Sequence, residues 1–239
     1  MRYLVFGLGK SGTSSFAYGL AKATGIDQVY FERAVHDPVD PSVTKLLLNV
    51  MPFSAENWKQ KFGNGLRWDR RLFLSRDPRD RLVSAWCYQF YENKSLWGRV
   101  RPMLERKHDG ERVPLVQLMS TGPVNPGTEC ERIRECLRFR EECGFPFADV
   151  AYEDALLGVS VDGIRVTLAD VPAAYSRVKR TATYGEWKNW FTEEDVLIFR
   201  PLFEEFMYVT CYAPDWELSD EPPSRESGVD WIDKLVGAP

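Results

Sequence analysis

The sequence predicts an α/β fold, in which a single three-layer domain has a mostly parallel central sheet of four to five strands with helices on both faces. Two observations predict it. Short apolar runs at Tyr3–Phe6 and Arg71–Ser75 are typical of buried strands, and a polar loop and a helical pattern follow each of them. In addition, 239 residues with 44% hydrophobic content are enough for one large α/β core.

The first strand runs directly into a glycine-rich loop. Gly7, Gly9 and Gly12 interrupt the apolar pattern, and a helix is predicted from Thr13 to Ala23. A strand, a glycine-rich loop and a helix N-terminus together form an anion cradle, because backbone N–H groups and the helix dipole point at the same place. The sequence therefore predicts a phosphate-type site, to which the loop adds one cation and four hydroxyls: Lys10, Ser11, Thr13, Ser14 and Ser15.

Two nucleotide-binding patterns fit this loop in part. Gly7 and Gly12 have the spacing of the nucleoside-triphosphate loop G-x-x-x-x-G-K-[ST], but Thr13 stands where that pattern has its lysine. Lys10 lies inside the loop instead. The dinucleotide fingerprint G-x-G-x-x-G also fits, with Glu32 as the acidic residue that should follow the second strand.

The rest of the chain continues the alternation of strands and helices. Residues 93–130 are the least regular part, for which we expect one or two short helices over the carboxyl edge of the sheet. The other predicted elements are a second strand at Gln28–Phe31, a helix at Val43–Val50, helices at Arg81–Tyr91 and Thr128–Cys143, a strand at Phe145–Ala151, a hairpin at Val159–Leu168 and an amphipathic helix at Thr192–Val209.

Charge and cysteine content narrow the class of protein. A net charge of −4 argues against a general nucleic-acid binder, because no overall positive field attracts phosphates. The five cysteines form no C-x-x-C pair, so neither a disulfide framework nor a zinc site is expected. With a strand predicted at the start and no apolar run of spanning length, we expect a cytoplasmic protein with no signal peptide or membrane span.

Three further stretches are suited to an anionic ligand. Arg76 follows the strand at Arg71–Ser75, and Ser84 lies two turns into the next helix, so the two can hold one phosphate. Tyr152-Glu-Asp154 follows the later strand. The segment Arg180–Thr192 is unusually rich in Arg, Lys, Gly, Trp and Asn for a structural loop.

Together these four stretches resemble the sulfotransferases that use 3′-phosphoadenosine 5′-phosphosulfate (PAPS). Lys10–Ser15 resembles the family's 5′-phosphosulfate loop, and Arg76 to Ser84 resembles its 3′-phosphate motif. Tyr152 matches a tyrosine beside the adenine, and Arg180–Thr192 resembles the loop R-K-G-x-x-G-D-W-K-N-x-F-T that closes over the 3′-phosphate. The resemblance implies these donor-binding residues: Gly9, Lys10, Ser11, Gly12, Thr13, Ser14, Ser15, Arg76, Ser84, Tyr152, Arg180, Gly185 and Trp187. Thr181, Ala182 and Glu186 depart from the family pattern.

The resemblance implies a P-loop-NTPase-like fold and a transfer reaction without a metal. A sulfuryl group would pass in line from PAPS to a hydroxyl or amine of a small-molecule or carbohydrate acceptor, releasing adenosine 3′,5′-bisphosphate (PAP). Lys10 would stabilise charge on the bridging oxygen. Residues 1–216 would form the transferase domain, with the variable part 93–145 on the acceptor side, and 217–239 an acidic, proline-containing tail.

The general base for a hydroxyl acceptor is expected just after the second strand. His36 is the first candidate, because the pKa of a histidine suits a base near neutral pH, and Glu32 is the second. The family's alternative K-T-H-x-P segment has Leu48–Pro52 as its nearest counterpart here, which contains no histidine. His108, in contrast, is predicted to lie on the surface.

Other functions stay open at this point. A P-loop kinase-like nucleotide phosphotransferase is the main alternative. A protein that binds PAPS or another nucleotide without catalysing transfer is another, and an interaction module built on residues 93–130 is a third. A dehydrogenase is disfavoured, because a dehydrogenase function does not explain the presence of the pair Arg76 and Ser84.

Overall fold

The computed structural model describes residues 1–30, 41–47, 68–120, 122–144, 146–173, 180–181 and 183–237. The chain divides into two compact units. The first unit is Met1–Arg76 with Arg134–Ser176, and the second is Asp77–Ile133 with Arg177–Pro239. The single domain over residues 1–216 stays a prediction.

The described elements alternate along the chain as the sequence predicts. In order they are β1 Arg2–Gly7, α1 Thr13–Thr24, β2 Val29–Tyr30, β3 Ser42–Leu47, β4 Arg70–Ser75, α2 Pro78–Tyr88 with a 3₁₀ turn at Gln89–Tyr91, α3 Lys94–His108, α4 Leu115–Met119, α5 Pro126–Glu142, β5 Ala148–Ala151, α6 Tyr152–Leu157, β6 Val159–Val161, β7 Ile164–Val166, α7 Trp187–Trp190, α8 Glu193–Val209 and α9 Val229–Val236.

The central sheet lies in the first unit and has the strand order β2-β3-β1-β4-β5. Every neighbouring pair is parallel, so the predicted α/β class with a parallel sheet is confirmed. The chain builds one side of the sheet from β1 through β2 and β3, and the other side from β4 and β5. Ligands of such sheets bind beyond the carboxyl ends of the strands where the strand order reverses. Here that point is β1 beside β4.

Side chains of β1 pack on both faces of the sheet, because successive residues of a strand point in opposite directions. Tyr3 and Val5 belong to a buried cluster with Phe16 of α1. Phe6 faces the other way, with its ring 5.0 Å from that of Phe139 in α5. Helices thus cover both faces of the sheet within this unit, which gives the predicted three layers.

The predicted helix at Val43–Val50 is wrong over its described part. Ser42–Leu47 is a strand that pairs with β1 on one side and with β2 on the other. The run Lys45-Leu-Leu has helical propensity, but Val43 and Thr44 are β-branched, and pairing with two strands outweighs local preference. Residues 48–50 lie outside the described part of the chain.

Other differences concern lengths and burial. The strand predicted from Phe145 begins only at Ala148, because Pro146 has no N–H to donate to a ladder. Within 93–130, α3 is a long helix rather than a short one. His108 at its end is only 9% exposed, so its predicted surface position is wrong. The hairpin is confirmed, with its turn at Asp162 and Gly163, both at positive φ.

All five cysteines are free thiols, three of them buried. None of the described helices is both long and apolar enough to cross a membrane.

Candidate functional site

The loop between β1 and α1 has the backbone of an anion cradle. Lys10 has φ of 70° and Gly12 has φ of 83°, so left-handed residues alternate with ordinary ones along the loop. Such alternation turns successive N–H groups toward one concavity. For Lys10, a residue with a Cβ, this conformation costs on the order of 1–2 kcal/mol. The loop therefore has a strained backbone conformation that suits an anionic ligand.

Helix α1 begins at this loop with its N–H groups available to a ligand. The first intrahelical bond of this turn runs from the Phe16 N–H to the Gly12 carbonyl, at 3.0 Å, and the preceding N–H groups have no acceptor within the helix. Gly12 supplies no side-chain cap, and the first turn contains no acidic residue. Ser11 and Thr13 are buried. The other loop residues that are predicted to bind the ligand are partly exposed: Gly9, Lys10, Gly12, Ser14 and Ser15.

Arg76 and Tyr152 lie directly on this loop. The Arg76 Nη1 donates to the Lys10 carbonyl at 3.3 Å, and its guanidinium lies 4.5 Å from the centre of the Tyr152 ring. The same ring closes on Gly12, where a Cβ would come within 2.5 Å of Tyr152 Cδ2. The structure therefore brings three other predicted residues, Gly12, Arg76 and Tyr152, together at the loop of Lys10. Contact between Tyr152 and an adenine stays a prediction.

Lys45 is a site residue that the sequence analysis missed. It lies on β3, is only 7% exposed, and its Nζ donates to Ser14 Oγ at 3.1 Å. In the parallel register it stands opposite Val5, on the face that carries α1. The mistaken helix at 43–50 hid it; the signal available was the β-branched pair Val43-Thr44, which indicates a strand ending beside the loop.

The second unit contains residues 77–84 of the predicted 3′-phosphate motif, among which several charged residues serve the structure. Asp77 caps α2 by accepting from the Arg79 N–H at 2.9 Å. The Arg79 guanidinium pairs with Asp77, donates to the carbonyls of Asp215 and Ala213, and lies 4.0 Å from the Trp187 ring. These contacts fix the first turn of α2.

Asp80 connects α2 to the loop that follows Arg180. Its two carboxylate oxygens accept from the Gly185 N–H at 2.5 Å and the Trp187 N–H at 3.0 Å. Ser84 is one helical turn further along, so it lies on the same face of α2 as Asp80. Both are buried, at 1% and 4% exposure. Gly185 and Trp187 thus anchor the loop to the helix that carries Ser84.

Arg180 is buried and only partly satisfied. Its side chain is 3% exposed, its Nη2 pairs with Glu186 at 2.8 Å, and its Nη1 donates to the Ser227 carbonyl at 2.9 Å. Its buried Nε has no hydrogen-bond partner among the described residues. A buried donor left without an acceptor costs about 1–3 kcal/mol. A ligand oxygen would remove that cost.

Some predicted residues lie outside the described ranges. These are the base candidates Glu32 and His36, the segment Leu48–Pro52, and Ala182. In the described part of the chain, no group of three or more His, Cys, Asp or Glu is placed to hold a metal ion.

No family model matches the sequence, and no curated protein matches it. Among solved structures, it is similar to mouse sulfotransferase SULT7A1 complexed with PAP, with 13% identity and a TM-score of 0.46, over 86% of this chain and 84% of that one.

Proposed function

We propose that this chain is a PAPS-dependent sulfotransferase. The observation that carries the proposal is the loop after β1. Lys10 and Gly12, both in the left-handed conformation, shape its backbone. Helix α1 begins directly after it and has no acidic residue in its first turn. The buried Lys45 donates a hydrogen bond to Ser14. Backbone N–H groups, hydroxyls and two lysines around one concavity suit the doubly anionic phosphosulfate group.

Recognition of a 3′-phosphate distinguishes this donor from a nucleoside triphosphate. Arg76, which directly follows β4, contacts the glycine-rich loop after β1. Ser84 and Arg180 belong to the second unit. The buried Arg180, whose Nε has no hydrogen-bond partner in the described part of the chain, supports a phosphate ligand within the second unit. Glu186 would then share or release the guanidinium when the phosphate binds.

The proposed chemistry is one in-line displacement at sulfur. The acceptor oxygen or nitrogen forms a bond to sulfur while the bond from sulfur to the bridging phosphate oxygen breaks, and PAP leaves. The acceptor proton passes to a general base. Charge develops on the bridging oxygen, where Lys10 and the N–H groups of the loop stabilise it without rearranging. In this proposal, Lys45 holds the loop hydroxyls in place.

Transfer of labelled sulfate tests the proposal. The protein is incubated with PAPS carrying ³⁵S and a panel of sugars, phenols, lipid headgroups and amines, with and without EDTA. We expect labelled product and PAP with at least one acceptor class, in both conditions. Transfer of phosphate from ATP that requires Mg²⁺, with no sulfuryl transfer, would instead identify a phosphotransferase. Tight PAP binding without transfer to any acceptor would indicate a protein that only binds the donor.

The general base is proposed to be His36, with Glu32 as the second candidate. At saturating PAPS, we expect His36→Ala to lower kcat by about 10²–10⁴-fold, the usual contribution of a positioned base. Glu32→Ala should then have a smaller effect. Near-normal kcat in both variants would place the base elsewhere.

A further inference from the structure

The C-terminal segment of the chain contacts the arginine proposed to bind the 3′-phosphate. The carbonyl oxygen of Ser227 accepts from Arg180 Nη1 at 2.9 Å. Ser227 is only 2% exposed, and its N–H and hydroxyl both bond to Ser224 within a tight turn. The carbonyl that orients Arg180 is therefore fixed by a turn that occurs about fifty residues later in the chain.

His108 holds this turn from both sides. Its Nδ1 lies 2.6 Å from the Pro223 carbonyl oxygen, and its Nε2 lies 3.3 Å from the Val229 N–H. A carbonyl can only accept and a backbone N–H can only donate, so Nδ1 carries the proton and Nε2 accepts. One neutral imidazole thus fixes two backbone groups that flank Ser227.

The backbone at Gly228 packs closely against His108. A Cβ on Gly228 would lie 2.3 Å from His108 Nε2 and 3.4 Å from Trp190. Beyond the turn, α9 is secured to α3, because Trp97 Nε1 donates to Asp233 at 2.7 Å and Lys94 Nζ donates to the Val236 carbonyl at 3.0 Å. The segment from Pro223 to Val236 is therefore attached at both of its ends.

We propose that residues 223–236 form a strap that positions the Arg180 guanidinium for the donor's 3′-phosphate, with His108 as the positioning residue that fastens the strap. This inference rests on the proposed function. An arginine fixed before the ligand arrives loses less side-chain entropy on binding, so its hydrogen bonds contribute more to affinity. The Ser227 carbonyl occupies one side of the fork and leaves the buried Nε for a ligand oxygen.

A matched pair of glycine variants tests the strap. Gly228→Ala introduces a Cβ against His108, whereas Gly98→Ala adds one on α3 with no atom within 4 Å. For the wild type and both variants, calorimetry measures the Kd of PAP and of adenosine 5′-phosphate, which differs from PAP only in lacking the 3′-phosphate. We expect Gly228→Ala to weaken PAP binding by about tenfold or more, the scale of a charge-assisted hydrogen bond, and to leave adenosine 5′-phosphate unchanged. Gly98→Ala should bind both as the wild type does.

A second pair covers the case in which Gly228→Ala fails to fold. His108→Leu removes both hydrogen bonds, and we expect it to lose the preference for PAP over adenosine 5′-phosphate. His108→Gln offers an amide donor and an acceptor, and we expect it to keep that preference in large part.

The outcomes separate the two proposals. An unchanged PAP preference in Gly228→Ala or in His108→Leu overturns the strap, as does an equal loss of both nucleotides in a folded variant, because the contact would then serve stability alone. A wild type that does not distinguish PAP from adenosine 5′-phosphate overturns the proposed function, and the strap falls with it.

Discussion

At the scale of single residues, the two lysines of the loop have different surroundings. Lys10 is partly exposed within a backbone held at positive φ, whereas Lys45 is almost completely buried and bonded to Ser14. In the proposed reaction, a partly exposed cation such as Lys10 can meet the charge that develops on the bridging oxygen. A buried one keeps a fixed place and shapes the ground state of the site.

Substituting these lysines should therefore affect different kinetic constants. We expect Lys10→Ala to lower kcat at saturating PAPS by about 10²–10³-fold, as loss of a transition-state donor does. We expect Lys45→Met, which keeps the volume and removes the charge, to raise the Kd for PAP by about tenfold or more. Steady-state kinetics and calorimetry measure these effects, with Lys22→Ala at the exposed end of α1 as the control. A Lys10→Ala variant with normal kcat would contradict the role given to Lys10.

At the scale of elements, α2 is the element to which much of the second unit is attached. Its first turn is fixed by Asp77 and Arg79, Asp80 binds the loop after Arg180, and Arg81 forms a buried ion pair with Glu129 of α5. The motif that resembles a 3′-phosphate site is thus mostly structural. Arg76 and Ser84, the two residues that the resemblance assigns to the phosphate, stand at its two ends.

Removing the charge of Asp80 should loosen the loop that it holds. Asp80→Asn leaves one amide oxygen where two carboxylate oxygens accept N–H groups, so we expect a loss of about 1.5–3 kcal/mol in the free energy of unfolding. PAP binding should weaken as well, because Arg180 lies on that loop. Urea denaturation measures the first effect. The fully exposed carboxylate of Asp220 gives the control, Asp220→Asn, which should change neither quantity appreciably.

The pair of Arg81 and Glu129 should behave as a buried charge pair. Both side chains are at most 1% exposed, and Arg132 also contacts Glu129. Glu129→Gln leaves Arg81 without its counter-charge, which costs about 3–5 kcal/mol in typical buried pairs. The double variant Arg81→Met with Glu129→Leu should lose less than the single one. A double-mutant cycle by urea denaturation checks this, and additive losses would contradict the coupling.

At the scale of the whole molecule, His108 should make stability depend on pH. Burial lowers the pKa of His108, and the charged groups around it are Lys107 of α3 and Arg225 and Asp230 of the strap. The unfolded chain, with a histidine pKa of about 6.5, then binds more protons than the folded one below that pH. The contribution of His108 is therefore fully present above about pH 6.5 and is lost as the pH falls toward its lowered folded value.

Denaturation at a series of pH values measures this contribution. In the wild type, we expect the free energy of unfolding to fall as the pH drops below about 6.5, and in His108→Gln we expect a flatter profile over the same range. Carboxyls whose pKa is lowered by an arginine partner, such as Asp69 and Glu111, act at lower pH, below about 4.5. Identical slopes in the two proteins would contradict the account of His108.

The sequence by itself determined the local parts of this protein. The strand, glycine loop and helix from Arg2 to Thr24, the hairpin at Asp162-Gly163 and the helix after Thr192 follow from glycine positions, apolar period and capping residues, which act between near neighbours in the chain. The anion site at this loop is therefore a prediction that needs no tertiary contact.

Only the tertiary structure decided the rest, because the partners lie far apart in the chain. Ser42–Leu47 is a strand because β1 and β2 flank it, and that pairing brings Lys45 to Ser14. His108 is buried because Pro223 and Val229 close over both of its ring nitrogens. Periodicity within a short window contains no information about such contacts. The sequence therefore predicted an anion-binding loop, whereas tertiary contacts decided that Lys45 reaches it and that the Ser227 carbonyl contacts Arg180.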